Sequence, residues 1–432
     1  MFVDTAMRER ETRGKPVRVG IVGAGAAGRA VALQLGTPPP GIRLAGIANR
    51  TPANGERSLR EAGFSKWRSA DSPREAETAI TSGNVVLTED PAVLTTCNAV
   101  DVIVEATGSI EPAARLVLSA FEHGKHVVLL NAELDCVLGP ILKAKADQAG
   151  VVLTHTDGEE PGVAMTLLRY LRSTGLRPVA AGNLKGMVDH YRTPETQKGF
   201  AEKYDQNVKK VTSFADATKL SMETTLLANA TGFRAGKPGM YGPKCEHVKE
   251  MAQLLPADQM LDDGLVDYAL GAAPHTGAFV IVYEDAPLKK AQLGYVKMGD
   301  GPFYVFYTPF HLPHIQLAST IGRAVIHNDP TVAPIAGPVC EVMAIAKRDL
   351  KPGETLDGVG GFCAYGLIDN AARARETNAL PISLSEGCVV KRNIAKDEII
   401  SAKDVTAPAR GVVDTLWDEQ LERWPQAKRM AD

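Results

Sequence analysis

The chain has 432 residues, of which 44% are hydrophobic and 23% are charged, and its formal net charge is −3. This length accommodates two or three domains with a large buried core. The small net charge argues against nucleic acid or an anionic membrane as a partner. In addition, no stretch approaches the roughly 20 apolar residues that a membrane-spanning helix needs.

The first residues and the cysteines favour a cytoplasmic protein. Residues 1–16 are charged and lack the apolar segment of a secretory signal, so we expect them to form a flexible tail. The cysteines are scattered, without a CxxC pair or the spacing of metal ligands. We therefore interpret them as reduced, structural residues.

A glycine-rich turn follows the first predicted strand. VRVGIV at 17–22 is apolar and β-branched, GAGAAG follows at 23–28, and a helical pattern comes next. This strand–GxGxxG–helix order predicts a dinucleotide site in which the helix N-terminus faces the pyrophosphate. The glycines permit a tight turn, close approach of a phosphate and close helix packing. The predicted binding residues are Gly23, Ala24, Gly25, Ala26, Ala27 and Gly28. The alternative is a glycine turn that binds nothing.

The second predicted strand, at 42–49, indicates which nucleotide is bound. An NAD site usually places an acidic residue at this strand end to bind the ribose hydroxyls. Here Asn49 is neutral and Arg50 is cationic, which suits a 2′-phosphate. We therefore favour NADP, with NAD as the alternative, and Arg50 could also be a solvated loop residue.

Further strands alternate with helices up to residue 157. Strands are predicted at 85–90, 99–108, 125–131 and 150–157, with helices at 111–124 and 137–149. This alternation predicts an α/β fold with a doubly wound parallel sheet, a Rossmann domain over 1–157. Thr107, Gly108 and Asn131 follow strand ends, where such sheets bind ligands, so we expect them to line the nicotinamide end.

A central α+β domain is predicted over 158–335, with helix 315–327 expected to pack back on the Rossmann domain. Glu160 precedes Pro161 at a predicted helix start, and Lys185 ends a predicted strand at 177–186. Polar residues at a strand end are typical of a pocket wall and equally typical of a loop. The predicted substrate-binding residues are Glu160, Lys185, Asp189, His190 and Tyr191.

Residues 214–232 have the pattern of one helix, on which Asp216, Lys219 and Glu223 share an edge. One interpretation is a solvated ion pair worth about 0.3–0.5 kcal/mol. The other is catalytic, because hydride transfer to a carbonyl develops negative charge that a lysine held by carboxylates can neutralise. We predict that Lys219 is the proton donor and that Asp216 and Glu223 orient it.

The HxxH spacing of His311 and His314 invites a metal site. Pro313 lies between the two histidines and no third ligand is near in sequence, so we predict no metal centre there. The sequence leaves a divalent cation open as a helper in catalysis, but no other pattern indicates one.

The last part of the chain, 336–432, contains an internal repeat. AKRDLKPGETLDG and VKRNIAKDEIISA share a short apolar strand, a Lys-Arg pair and a turn that ends in glutamate. We interpret the repeat as a small β-rich module whose charged turns are solvated. Alternatively, Lys347 and Arg348, or Lys391 and Arg392, supply positive charge to an anionic substrate. A terminal helix is expected around Trp417 and Trp424.

Several segments together resemble the homoserine-dehydrogenase-like oxidoreductases that carry a C-terminal SAF module, and more closely the deoxyxylulose-5-phosphate reductoisomerase-like (DRL) branch. These segments are GKPVRVGIVGAGAAG, VDVIVEATG, GKHVVLLNAE, KLSMETTLLANATG, GMYGP, GPFYVFYTPFHL and AKRDLKPGETLDGVG. The resemblance implies that the repeat module is a SAF domain and that Lys219 and Asp216 are the catalytic pair.

The resemblance also implies a function. We expect an NAD(P)H-dependent oxidoreductase, or a reductoisomerase, that acts on a small hydroxylated carbonyl compound such as 1-deoxy-D-xylulose 5-phosphate. The alternatives are a homoserine dehydrogenase-like reductase of an amino-acid semialdehyde and a non-catalytic NADP-binding sensor. A small-molecule substrate and a homodimer or higher homo-oligomer are expected, without nucleic acid or membrane.

Overall fold

The computed structural model describes residues 3–425. Its strands are β1 Val17–Val22, β2 Ile42–Ala48, β3 Arg68–Ser69, β4 Val86–Thr88, β5 Val102–Glu105, β6 His126–Leu129, β7 Leu153–His155, β8 Arg177–Lys185, β9 Arg234–Ala235, β10 Leu265–Leu270, β11 Ala278–Tyr283, β12 Phe303–Thr308, β13 Cys340–Ala346, β14 Ala364–Asn370, β15 Val389–Val390 and β16 Val405–Thr406.

The helices are α1 Asp4–Thr12, α2 Ala26–Gly36, α3 Pro52–Glu61, α4 Pro73–Thr81, α5 Pro91–Thr95, α6 Glu111–Glu122, α7 Ala132–Gln148, α8 Glu160–Ser173, α9 Pro194–Lys203, α10 Val208–Ala215, α11 Thr218–Thr231, α12 Met251–Leu254, α13 Ala257–Asp262, α14 Pro287–Tyr295, α15 Leu317–His327, α16 Ala371–Glu376 and α17 Val412–Arg423. Within residues 3–425, no helix is long and apolar enough to cross a membrane.

The described chain divides into two compact units. The first contains residues 3–158, 312–333 and 411–417, and the second contains residues 159–311, 334–410 and 418–425. Each unit has its own hydrophobic core.

The first unit is built on a parallel sheet with the strand order β3-β4-β2-β1-β5-β6-β7. Its central strands are continuous apolar runs, and Val17, Val19 and Ile21 are fully buried, as expected for a parallel sheet covered on both faces. The order reverses at β1, which gives the doubly wound arrangement. The predicted α/β fold with a Rossmann sheet is therefore confirmed.

The predicted flexible tail at 1–16 is wrong for the part of it that forms α1. Val3 and Met7 are buried in the core of the first unit. A Cβ atom on Gly322 of α15 would lie 2.7 Å from Val3 Cγ2 and 2.9 Å from Met7 Sδ, so the helices pack closely at this glycine. The helix was not predicted because its apolar face is short and most of the surrounding residues are charged.

Helix α15 also belongs to the first unit, where Leu317 and Ile321 join the same core. Asp157 extends this contact, because its backbone N–H donates to Thr320 Oγ1 at 2.9 Å. The end of β7 is thereby fixed by a segment that returns from much later in the chain.

The second unit contains a mixed sheet with the strand order β12-β11-β8-β10-β9. Strand β8 is parallel to β10 and antiparallel to β11. Helices α8 and α11 pack on β8. Every residue of α11 is buried, including its polar ones, so this helix lies inside the unit.

The repeat module forms the antiparallel pairs β13–β14 and β15–β16. The two repeats build equivalent turns. Arg348 pairs with Glu354 at 2.5 Å in the first, and Arg392 pairs with Glu398 at 2.7 Å in the second. Both arginines are therefore committed to holding their own turns. This supports the structural interpretation of the arginines and not the substrate-binding one.

Candidate active site

The helix predicted over 214–232 is interrupted in the structure. Helix α10 ends at Ala215, and α11 begins at Thr218 after Ala217, which has the left-handed backbone conformation (φ 68°). Asp216 Oδ1 accepts a hydrogen bond of 2.9 Å from the Thr218 backbone N–H. An aspartate that binds the backbone two residues onward favours a turn over a continuing helix.

This break changes the position expected for Asp216. Its carboxylate is buried, and Oδ2 lies 2.7 Å from Nζ of Lys347 in the repeat module. The expectation that Asp216 shares a helix edge with Lys219 is therefore wrong, because the two residues are not in one continuous helix. Glu223 does lie on α11 with Lys219.

Lys219 is buried among carboxylates. Its side chain is 6% exposed, and Nζ lies 3.6 Å from Glu159 Oε2 and 4.0 Å from Glu223 Oε1. Glu159 directly precedes α8, whereas Glu223 is one turn along α11 from the lysine. The solvated ion pair considered for this lysine does not fit its burial.

A second lysine meets the same glutamate. Lys185 ends β8, and its Nζ lies 2.7 Å from Glu160 Oε1 and 3.5 Å from Glu223 Oε2. Asn183, two residues earlier on the strand, donates from Nδ2 to Glu223 Oε2 at 3.3 Å. We call the group formed by Glu159, Glu160, Lys185, Lys219 and Glu223 the two-lysine cluster.

The electrostatics of the two-lysine cluster favour a proton on Glu223. Burial and the neighbouring charge of Glu160 raise the pKa of Glu223 to about 8, although Lys185 and Lys219 act in the opposite direction. For Lys185, burial would lower the pKa, but the charges of Glu160 and Glu223 outweigh it and the pKa is raised. Near neutral pH the cluster thus holds a protonated carboxyl beside a charged ammonium group.

Two residues, one in the cluster and one near it, were not predicted as site residues from the sequence. Glu159 was overlooked in favour of its neighbour Glu160, although both stand at the helix start. His311 was considered only with His314 as a metal pair. Its Nδ1 lies 2.8 Å from Thr276 Oγ1. Burial lowers the pKa of His311 and outweighs the opposing effect of Glu223. The imidazole is therefore near enough to interact electrostatically with the cluster.

Within residues 3–425, no group of three or more histidine, cysteine or acidic side chains is arranged to hold a metal ion.

Of the residues predicted after β8, His190 and Tyr191 contact the repeat module, and Asp189 contacts its own segment. His190 stacks on Tyr365 with a centroid distance of 4.5 Å, and the Tyr191 hydroxyl donates to the Asp397 carboxylate at 2.9 Å. Asp189 binds Arg192 Nε at 2.9 Å. The substrate-binding role expected for these three residues stays a prediction, whereas Glu160 and Lys185 lie in the cluster.

The glycine turn has the geometry of a phosphate-binding site. Gly23 has φ 102°, and a Cβ atom on Gly28 would stand 1.9 Å from the Gly23 carbonyl oxygen, so neither position accepts a side chain. Gly25 precedes α2, and nothing lies within 4 Å of the place where its Cβ would stand. Ala26 and Ala27 open the helix. The backbone at Gly25 is therefore open to a ligand.

The second strand end lies against this turn. Asn49 Oδ1 accepts from the Ala24 backbone N–H at 3.0 Å, and Asn49 Nδ2 donates to the Thr51 carbonyl at 2.9 Å. Arg50 is exposed. The asparagine thus ties the β2 end to the glycine turn and leaves the guanidinium group free to approach a ligand.

Three further predicted cofactor residues lie in the loops after β5 and β6. Thr107 follows β5 and is held by Glu105, whose Oε1 accepts from the Thr107 backbone N–H at 2.9 Å. Gly108 has φ 67° and an open position for a side chain. Asn131 donates from Nδ2 to the Ser109 carbonyl at 2.8 Å and caps α7. The loops after β5 and β6 therefore meet at one edge of the sheet.

Comparison with known proteins assigns a family description to each part of the chain. Residues 23–155 match "Homoserine dehydrogenase, NAD binding domain", residues 158–317 match "Oxidoreductase DRL, catalytic domain", and residues 341–406 match the SAF domain. The three matches follow one another along the chain in that order. The two-lysine cluster lies within the residues that match the DRL catalytic domain, and Lys347 lies within the residues that match the SAF domain.

Curated relatives match part of the chain. Homoserine dehydrogenase from Pseudomonas aeruginosa is 32% identical over 149 residues, which cover 34% of this chain and 31% of that protein. Homoserine dehydrogenase from Methylobacillus glycogenes is 30% identical over 141 residues, or 31% of this chain and 30% of that protein. The chain thus spans less than a third of the length of these relatives.

Among solved structures, a probable dehydrogenase from Thermotoga maritima matches 73% of this chain and 90% of its own, at 14% identity and a TM-score of 0.42. A myo-inositol 2-dehydrogenase from Lactobacillus plantarum gives 12% identity and a TM-score of 0.41, covering 74% and 92% of the two chains. These likenesses are too weak to relate the arrangement of the whole chain to either structure.

Proposed function

We propose that the protein is an NADP(H)-dependent oxidoreductase that reduces the carbonyl group of a small hydroxylated compound. The observation that carries this proposal is the burial of Lys219 among Glu159 and Glu223 in the DRL-type catalytic domain, in a chain that also has a glycine turn open at Gly25. An ammonium group in such surroundings suits the stabilisation of developing negative charge on oxygen.

The first unit fits a nicotinamide dinucleotide. Gly23, Gly25 and Gly28 would admit the pyrophosphate, Arg50 would pair with a 2′-phosphate, and Thr107 and Asn131 would face the nicotinamide end. When bound, the reduced cofactor supplies a hydride. NADP is preferred over NAD because no acidic residue occupies positions 49–51.

In this proposal each residue of the two-lysine cluster has a role in catalysis or in substrate binding. Lys219 holds the carbonyl oxygen and stabilises its charge, and it delivers a proton as the alcohol forms. Glu159 and Glu223 hold the ammonium group in place. Because Glu223 retains a proton near neutral pH, it can return a proton to Lys219 after turnover. Lys185 is fixed by Glu160 and would pair with an anionic group of the substrate.

The substrate that we propose first is 1-deoxy-D-xylulose 5-phosphate, because residues 158–317 match the DRL catalytic domain. The test follows NADPH oxidation at 340 nm with this compound, with and without added Mg²⁺. The product is then analysed for a rearranged carbon skeleton, which distinguishes reductoisomerisation from simple reduction. Turnover with NADPH supports the proposal, and absence of turnover with any carbonyl substrate contradicts it.

A second candidate is a homoserine dehydrogenase-like reductase of an amino-acid semialdehyde. The curated relatives named homoserine dehydrogenase favour it. Aspartate semialdehyde in the same assay separates this candidate from the first. A non-catalytic NADP-binding sensor is the third, and it predicts that substitution of Lys219 leaves both NADP affinity and biological output unchanged.

We further propose that the enzyme works in the cytoplasm as a homodimer or higher homo-oligomer. The burial of all the cysteines is compatible with a reducing compartment. Light scattering coupled to size-exclusion chromatography measures the mass directly, and a species of 46.1 kDa would contradict the oligomer.

A further inference from the structure

The SAF domain is in direct contact with the helix that carries Lys219. Gly366 of β14 donates its backbone N–H to Thr218 Oγ1 at 2.8 Å, and Ser221 donates from Oγ to the Gly366 carbonyl at 3.0 Å. At the other end of α11, Asn229 Oδ1 accepts from the backbone N–H groups of Val339 and Cys340 at 2.8 and 3.0 Å. The SAF domain thus contacts the start of α11, and the two residues that directly precede the SAF match contact its other end.

The contact at the beginning of α11 includes a buried charge pair. Lys347 Nζ lies 2.7 Å from Asp216 Oδ2, and it also donates to the carbonyl oxygens of Arg192 and Gly361 at 2.7 and 2.8 Å. The side chains of Lys347 and Asp216 are 3% and 0% exposed. All the contacts of this ammonium group are therefore with the protein's own interior, and it is not available to a substrate.

The backbone at this point needs such support. Ala217 lies between Asp216 and α11 in the left-handed conformation, which is unfavourable for a residue with a Cβ atom. The residue is buried, and Lys219 follows two positions later. A small change in the angle of this turn would move the Lys219 ammonium group away from Glu159.

We infer that Lys347 of the SAF domain is a positioning residue, which fixes the start of α11 through Asp216 and thereby places Lys219 in the two-lysine cluster. The inference rests on the proposed function for its catalytic consequence. It assigns to the SAF domain a part in building the active site, so that the domain's lysine acts on catalysis without touching the substrate.

The internal repeat provides a matched control. Lys391 occupies the position in the second repeat that Lys347 occupies in the first, and it is exposed. Lys391→Met therefore makes the same chemical change in the same local motif without removing a buried pair. A general effect of lysine loss on the SAF domain would appear in both variants.

The experiment measures hydrogen–deuterium exchange of the full chain together with steady-state kinetics. In Lys347→Met, the buried Asp216 loses its partner, so we expect faster exchange at amides 218–222 and a kcat lower by about 10- to 100-fold with little change in KM. Lys391→Met should leave both unchanged. In the double variant Asp216→Asn/Lys347→Met, no unpaired charge remains and the side-chain oxygen can still accept from the Thr218 backbone N–H, so protection of 218–222 should largely return.

A second variant applies if Lys347→Met does not fold. Thr218→Val removes only the hydroxyl that binds Gly366, and it should accelerate exchange at the same amides. Unchanged exchange at 218–222, or an equal increase throughout the second unit, would overturn the inference. If the wild-type protein turns over none of the substrates, the proposed function fails separately, because the exchange measurement does not depend on activity.

Discussion

Glu159 Oε2 lies 3.6 Å from Lys219 Nζ, although the first residue directly precedes α8 and the second is in the first turn of α11. The contact joins two helix starts that pack beside β8. Each helix start also contributes a positive dipole, which favours the Glu159 carboxylate and disfavours the positive charge of the Lys219 ammonium group. Glu159 therefore offsets a charge that the local backbone alone would not stabilise.

Replacing Lys219 tests whether this ammonium group takes part in the reaction. Lys219→Met retains the length and apolar body of the side chain, and we expect kcat to fall by about 10²–10⁴-fold because both charge stabilisation and proton delivery are lost. The affinity for NADPH should be unchanged, as measured by fluorescence titration. Lys198→Met on α9 is the control, since that lysine is 74% exposed. A kcat close to wild type would eliminate the proposed role.

Met7 provides a test of α1. Its side chain is 5% exposed and contacts the α15 glycine Gly322. Met7→Ala should lower the free energy of unfolding of the first unit by about 2 kcal/mol, through lost burial and the cavity left behind. Arg8→Ala changes an exposed residue of the same helix and should have little effect. Urea unfolding followed by tryptophan fluorescence measures the difference. Equal stability of the two variants would mean that α1 does not contribute to the core.

The parts of the site that depend on local spacing could be predicted from the sequence. Lys219 and Glu223 were found because residues four apart on a helix are neighbours. Asp216 was misplaced because the helical period of the sequence continues through Ala217, and an alanine does not indicate the left-handed conformation that a glycine would have indicated. Glu159 joins the cluster only because α8 packs beside α11. No spacing in the sequence predicts that contact.

The Rossmann sheet was predicted more completely than the second unit. Its strands are continuous apolar runs separated by amphipathic helices, and that pattern is itself the cause of the fold. The short strand β3 was missed because its residues, Arg68 and Ser69, are exposed and carry no apolar alternation. In the second unit, sheet order depends on pairings such as β11 with β8, which no local pattern specifies.

Arg50 should determine the choice between NADPH and NADH. Arg50→Ala removes the cation proposed to pair with the 2′-phosphate, so we expect KM for NADPH to rise by about 10-fold while KM for NADH changes little. Arg43→Ala is the matched control, because Arg43 lies on β2, the strand that ends two residues before Arg50, and its side chain pairs with Glu11. Equal effects of Arg50→Ala on the two cofactors would show that the guanidinium group does not read the phosphate.

Glu223 should make stability depend on pH in a defined direction. Its pKa in the folded protein is about 8, against an ordinary value of 4.5, because burial and the charge of Glu160 disfavour the ionised form. Between these two values the folded protein holds a proton that the unfolded chain has released. The stabilisation from this group is therefore complete below about pH 4.5 and is lost as the pH rises to about 8.

Glu223→Gln removes this titration while keeping the shape of the side chain. Relative to wild type, its free energy of unfolding should fall less steeply between about pH 5 and pH 8, by up to about 1.4 kcal/mol per pH unit. Urea unfolding at several pH values in that range measures the slope. Glu202→Gln on α9 is the control, since that carboxylate is 67% exposed and should leave the slope unchanged. If the free energy of unfolding changes with pH in the same way for wild type and Glu223→Gln, Glu223 is ionised at neutral pH. It could then not return a proton to Lys219.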